Sequence, residues 1–128
     1  MKATTTSVVV AILLVVGALV LVGSGQNNAG SINANNVSIV DGVQIIEMNA
    51  KGGYQPKISV AKAGIPTILR FNTSGTFDCS SSVRIPSLNI SKSLPQSGST
   101  DIDLGTRKTG VLNGMCGMGM YRFDIDFK

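Results

Sequence analysis

The feature that most constrains this chain is a set of short segments in which apolar and polar residues alternate at period two. Pro66-Thr-Ile-Leu-Arg-Phe71, Thr100-Asp-Ile-Asp-Leu104 and Tyr121-Arg-Phe-Asp-Ile-Asp-Phe127 all follow this pattern. A strand sends successive side chains to opposite faces, so each segment offers one face to a core and one to water. Val43-Gln-Ile-Ile-Glu-Met48 and Lys57-Ile-Ser-Val60 read as two further short strands. Turn residues separate them at Gly52-Gly53, Gly64, Ser74-Gly75, Gln96-Ser97-Gly98 and Asn113-Gly114. No window of about a dozen residues in this part has helical spacing. The pattern predicts one all-β domain over residues 37–128, an antiparallel sandwich or barrel, long enough for a modest core.

The chain ahead of that domain has a different character. Ser7 to Gly23 carries no charge. As a helix it would cover about 26 Å, slightly short for a membrane span and long for the apolar part of a signal peptide. Lys2 precedes the run and the next basic residue is Lys51, an asymmetry that keeps the N-terminus in the cytoplasm and sends the rest outside. Small residues at Val22-Gly23-Ser24-Gly25 lack the Ala-x-Ala form, and no Cys is present for a lipid anchor. Residues 1–23 are therefore expected to be an uncleaved transmembrane helix in the cell membrane, with a cleaved signal peptide, giving a secreted or periplasmic protein, as the alternative. Residues 24–36 are small, polar and uncharged, which predicts a flexible linker. Both cases put the β domain on the extracytoplasmic side. The net charge is +4, and its basic residues are scattered with few aromatics among them, so no nucleic-acid footprint is present.

Chemistry concentrates in Met115-Cys116-Gly117-Met118-Gly119-Met120. Cys116, Met118 and Met120 are spaced by two, so an extended backbone would turn all three sulfurs to one face. Thiolate and thioether are soft donors that select Cu(I) over magnesium, calcium or manganese. The glycines let the backbone turn tightly around a small ion. The competing explanation is a sulfur-rich core strand, since Met fills gaps and Cys is often buried. Against it, alternate glycines weaken a strand and pack nothing.

In order along the chain, Tyr54-Gln-Pro56 to Gly64-Ile-Pro66, Arg70-Phe71, Cys79, Val83-Arg-Ile-Pro86, Leu94-Pro-Gln-Ser-Gly98, Gly110 and the Cys116–Met120 loop resemble the cupredoxin family. The resemblance implies a Greek-key β-sandwich. It departs from the electron-transfer members in one respect: a blue-copper site takes two His, one Cys and an axial Met, and this chain has no His. Cys79 stands where those proteins have their first copper-binding His, and Cys116, Met118 and Met120 replace the Cys, His and Met of the loop. The chain is most similar to the membrane-anchored cell-surface Cu(I)-chaperone cupredoxins of bacteria and to related domains fused to metal transporters. That similarity implies a dithiolate Cu(I) site at Cys79 and Cys116, with Met118 and Met120 helping to form a weaker thioether site. It implies one or two Cu(I) per domain, a role in copper export or resistance, and a copper-transporting P-type ATPase as partner. Met115 has no assigned role.

The rival from a different class is a metal-free structural domain, because two cysteines in a small extracytoplasmic domain commonly form a disulfide. Such a bond between Cys79 and Cys116 would stabilise the fold by about 3–4 kcal/mol on the chain-entropy account. An electron carrier is a further alternative that the missing His argues against. Structural zinc wants four Cys or His ligands, and no Cys-x-x-Cys redox motif is present. No helix follows Gly114, Gly117 and Gly119, so they make no dinucleotide loop. Without His no Ser/His/Asp triad exists, and the chain is not expected to be an enzyme. Asp101, Asp103, Asp124 and Asp126 read as solvated strand faces. The Asn-x-Ser matches at Asn36, Asn72 and Asn89 arise easily in a Ser- and Asn-rich chain.

Overall fold

The period-two segments fold as strands whose apolar faces meet in one core. The computed structural model describes residues 36–128. The expected anchor, and the expected linker apart from Asn36, lie outside the described residues. The strands are β1 (Val37–Val40), β2 (Val43–Ala50), β3 (Tyr54–Gln55), β4 (Ile58–Ala61), β5 (Pro66–Thr73), β6 (Ser82–Ile85), β7 (Ile90–Ser93), β8 (Gly98–Thr106), β9 (Gly110–Cys116) and β10 (Arg122–Phe127). One sheet runs β1-β2-β5-β8 with β3 added to β2, and the other runs β4-β10-β9-β6-β7. Short 3-10 turns at Cys79–Ser81 and Pro86–Leu88 are the only helical pieces among the described residues. No helix there is long and apolar enough to cross a membrane.

All five expected strands form, and the all-β expectation holds. Five other strands were not legible in the sequence. β1 joins β2 through Asp41 and Gly42, both at positive φ (51° and 78°), the backbone a tight hairpin turn requires. The purely antiparallel expectation does not hold: β2 pairs with β5, and β4 with β10, in parallel. The physical reason is the route of the chain, which leaves β2 for the opposite sheet at β4 before β5 returns, a crossover that parallel neighbours need.

Ile46 and Met48 of β2, and Leu69 and Phe71 of β5, are buried against Val83 of β6 and Phe123 and Ile125 of β10. Along β10 the buried Phe123, Ile125 and Phe127 alternate with Asp124 and Asp126, as the pattern predicted. The aromatic centre is a triad. Tyr54, Phe71 and Phe123 meet edge to face, with centroids 5.0–5.6 Å apart, a geometry worth about 0.5–1.5 kcal/mol per pair beyond burial.

Asn113-Gly114 is not a turn. Both residues lie inside β9, where Gly114 pairs with Phe123. A Cβ at Gly114 would fall 2.0 Å from the Phe123 ring edge, so glycine is there to admit the ring rather than to bend the chain. Gly114→Ala is accordingly expected to force the triad apart, at a cost of about 1–3 kcal/mol. Urea denaturation of the variant and the parent measures this; equal midpoints would mean that the ring has room to spare.

Candidate metal centre

Cys79 opens the 3-10 turn that follows β5, and Asp78 caps that turn. The Asp78 carboxylate accepts the backbone N–H of Ser80 at 3.1 Å and of Gly52 at 2.5 Å, and also the Ser80 hydroxyl. Those hydrogen bonds, the Ser80 hydroxyl first, hold its carboxyl below the usual aspartate range despite partial desolvation. Cys116 comes from the other direction, as the last residue of β9, and is fully buried. Its N–H donates to the Tyr121 carbonyl at 2.9 Å, and the Tyr121 N–H returns to the Cys116 sulfur at 3.4 Å. The β9–β10 hairpin therefore closes around this one side chain.

The two cysteines meet. Their Cα atoms are 5.6 Å apart and the sulfurs are joined in a disulfide; neither cysteine is free. Met118 and Met120 lie in the hairpin loop, 84% and 65% exposed. The extended-backbone expectation, with Cys116, Met118 and Met120 on one face, is thus overturned. The strand ends at Cys116, where Gly119 N–H donates back to the Cys116 carbonyl at 2.9 Å with Gly119 at φ +72°. Cys116 faces the core while both methionines face water. Gly117 is required for another reason: a Cβ there would sit 2.8 Å from the Ser82 hydroxyl. Met115 precedes Cys116 on the strand, so its side chain goes to the opposite face.

Several residues of this end were not singled out from the sequence. Tyr54 is buried and donates its hydroxyl to the Ser82 carbonyl at 3.1 Å. Burial, and secondarily the charge of Asp78, push its pKa well above the usual tyrosine value. Ser82 also accepts the Gly117 N–H at 3.1 Å, so one carbonyl ties Tyr54 and the sulfur loop to β6. Phe77, two residues before Cys79, is 75% exposed. The Asp-Cys-Ser-Ser run is a capping signal that could have marked Asp78; nothing in the sequence marks the partners of Tyr54.

No group of three or more His, Cys, Asp or Glu able to hold a metal occurs among the described residues. The available donors are sulfur: two cysteines already at pairing distance and the exposed methionines two and four residues beyond Cys116. Once the cysteines are reduced, that donor set fits a soft monovalent cation and offers no imidazole to a harder one.

Asp78 gives this end a pH signature. Its folded pKa is depressed, so its stabilisation is present above the unfolded value of about 3.9 and is lost as pH falls through the folded value. Asp78→Asn should therefore lower the urea midpoint of the oxidised protein near pH 7 and flatten its decline below about pH 4. An acid limb unchanged in the variant would show that Asp78 does not hold the turn.

Comparison with known proteins follows the same lines. The cupredoxin-like domain family matches residues 11–124. No curated protein matches the chain. Among solved structures it is similar to the metal-binding domain of the Cu(I)-exporting P-type ATPase CopA of Streptococcus pneumoniae D39, determined with Cu(I). The TM-score there is 0.65 at 22% identity, covering 72% of this chain and 92% of that one. It is also similar to a copper binding protein solved in the apo form, with a TM-score of 0.66 at 22% identity over 72% of this chain and 94% of that one. At that identity the two likenesses concern the fold. With a family match over residues 11–124, most of the chain, this chain belongs to the cupredoxin-like family.

Proposed function

We propose that this domain binds and hands on Cu(I) at the outer face of a membrane, in copper export or resistance. The observation that carries the reading is the convergence of Cys79 and Cys116 to 5.6 Å between Cα atoms, beside Met118 and Met120 exposed on a loop, in a chain without His. The Cu(I) bound in one of the two similar structures supports it, as does the description of the other as a copper binding protein. Copper here is cargo, and the chemistry is ligand exchange rather than catalysis. Met118 and Met120 take up Cu(I) weakly at the surface; Cys79 and Cys116 hold it more tightly, because an anionic thiolate is the stronger donor. The Tyr121 N–H that reaches the Cys116 sulfur steadies that thiolate, as outer hydrogen bonds do for metal ligands. One or two Cu(I) per domain follow, depending on whether the thioethers hold a second ion. A copper-transporting P-type ATPase in the same membrane is the partner this reading calls for, since tethering raises the effective concentration of the pair.

The disulfide favours one second reading, a domain that keeps its fold through Cys79–Cys116 and binds nothing. The two readings differ in what reduction does. A dithiol donor gives up two electrons and two protons to the disulfide, leaving two thiols and becoming oxidised itself. Each thiol then releases its proton on binding Cu(I).

Competition of the full chain against a Cu(I) chelator separates them. The reduced chain should bind tightly and the oxidised chain only weakly. Cys79→Ser should abolish tight binding, whereas Met118→Leu with Met120→Leu should keep it, lower any second stoichiometric equivalent, and cost the fold less than about 1.5 kcal/mol. Tight binding should weaken as pH falls, because thiols must lose protons, while thioether binding should not. A reduced chain that binds no more tightly than the oxidised chain or than Cys79→Ser leaves the scaffold reading standing, whereas tight binding that survives Cys79→Ser overturns the assignment of the cysteines.

A further inference from the structure

β1 and β4 are the outer strands of their sheets, and they lie side by side: Asn36 Nδ2 donates to Ser59 Oγ on β4 at 2.7 Å while also reaching the Glu47 carbonyl at 2.9 Å. This edge exposes aliphatic side chains. Ile39 and Val40 on β1 are 49% and 52% exposed, and Ile58 and Val60 on β4 are 62% and 51% exposed. Between the last two, Ser59 is buried, so β4 turns its polar residue inward and its apolar ones out. Val37, Ile39, Val60 and Ala61 wall a hollow of about 460 Å³ that Lys62 and Lys128 also line. Lys62 makes no ion pair among the described residues, and Lys128 reaches Asp126 only at 3.7 Å with its side chain 69% exposed. The acids nearby are Asp41 in the β1–β2 turn, Glu47 on β2, which faces Arg70 at 3.9 Å, and Asp124 and Asp126 one strand in on β10. Asp124 accepts from Asn113 Nδ2 at 2.6 Å.

We propose that the β1–β4 edge rests on the anionic surface of a phospholipid bilayer, with its aliphatic side chains at the acyl boundary and Lys62 and Lys128 against headgroup phosphates. Aliphatic area rimmed by lysine is what an interfacial surface needs: burial supplies adhesion, and each lysine near an anionic leaflet raises the docked population about fivefold. The chain enters the domain on this same edge, at Asn36. The proposal rests on the reading of residues 1–23 as a membrane anchor and is independent of copper. A sandwich docked along one edge has its strands parallel to the bilayer, so the Cys116–Met120 hairpin points along the membrane toward a neighbouring membrane protein.

The chain has no tryptophan, so Ile39→Trp gives a single reporter inside the proposed contact. Lys92→Trp gives one on β7, at the far edge of the second sheet. Each full-length variant is placed in bilayer discs of phosphatidylglycerol brominated on the acyl chains. Ile39→Trp should be quenched at least about threefold more than Lys92→Trp. The contrast should shrink in neutral phosphatidylcholine discs, and on adding Lys62→Glu with Lys128→Glu. Val60→Trp repeats the test from β4 if β1 does not tolerate the ring. Equal quenching at the two edges, or none at either, overturns the proposal. So does a lipid-free blue shift of Ile39→Trp that grows with protein concentration, which would assign the edge to a second copy of the chain. Co-elution with the discs is scored separately; a chain that does not co-elute refutes the anchor, and the same contrast is then read on added vesicles. Cys79→Ser in the reporter chain should leave the quenching unchanged, which keeps failure of docking apart from failure of Cu(I) binding.

Discussion

Phe71 from one sheet and Phe123 from the other meet edge to face with Tyr54, and most of what distinguishes this domain follows from that contact. Phe123 reaches the triad only because its cross-strand partner, Gly114, has no side chain. Tyr54 in turn spans the sandwich with its hydroxyl on the Ser82 carbonyl. That carbonyl also takes the Gly117 N–H, and the next residue of β6, Val83, pairs with Cys116. The apolar core and the sulfur site are therefore one construction. Loosening the rings would shift the strand that ends in Cys116.

The sulfurs divide by environment in a way that suits their chemistry. A thiolate carries charge and is costly to bury without donors, and Cys116 is the buried sulfur to which a backbone N–H is directed. A thioether is neutral and needs none, and the methionines stand in water on the loop. Asp78 would be an awkward neighbour for two thiolates. Its charge is already taken up by the N–H groups of Gly52 and Ser80 and by the Ser80 hydroxyl, so it acts on Cys79 through the backbone turn it caps.

Period two found most of the longer strands and missed strands too short for alternation to stand out. β5, β8 and β10 alternate cleanly. β6 alternates, with Val83 and Ile85 buried, but is only four residues long; β7 is equally short and buries no face; and β9 carries an Asn-Gly pair that reads locally as a turn. That signal failed because its cause was tertiary: only the position of Phe123 explains Gly114. The pairing of Cys79 with Cys116 came from resemblance to a family, and the structure brings the two together. The geometry of the methionines did not come through, because spacing by two implies a common face only while the backbone stays extended. It ceases to be extended at Cys116.

A single backbone serves two states of the cysteine pair in the proposed function. A metal between two thiolates needs the sulfurs further apart than a disulfide does. Cys116 has little freedom to provide that room: it is buried, lies in a strand paired on both sides, and is clamped through both directions of its contact with Tyr121. Cys79 has more. It is partly exposed and opens a three-residue 3-10 turn, where rotation about its own side chain leaves both sheets untouched. On that proposal the fixed cysteine would define where the ion sits and the adjustable one would accommodate it, with Asp78 capping the turn. Such an arrangement lets the domain close as a disulfide and open as a dithiol without unpacking the core on which both depend.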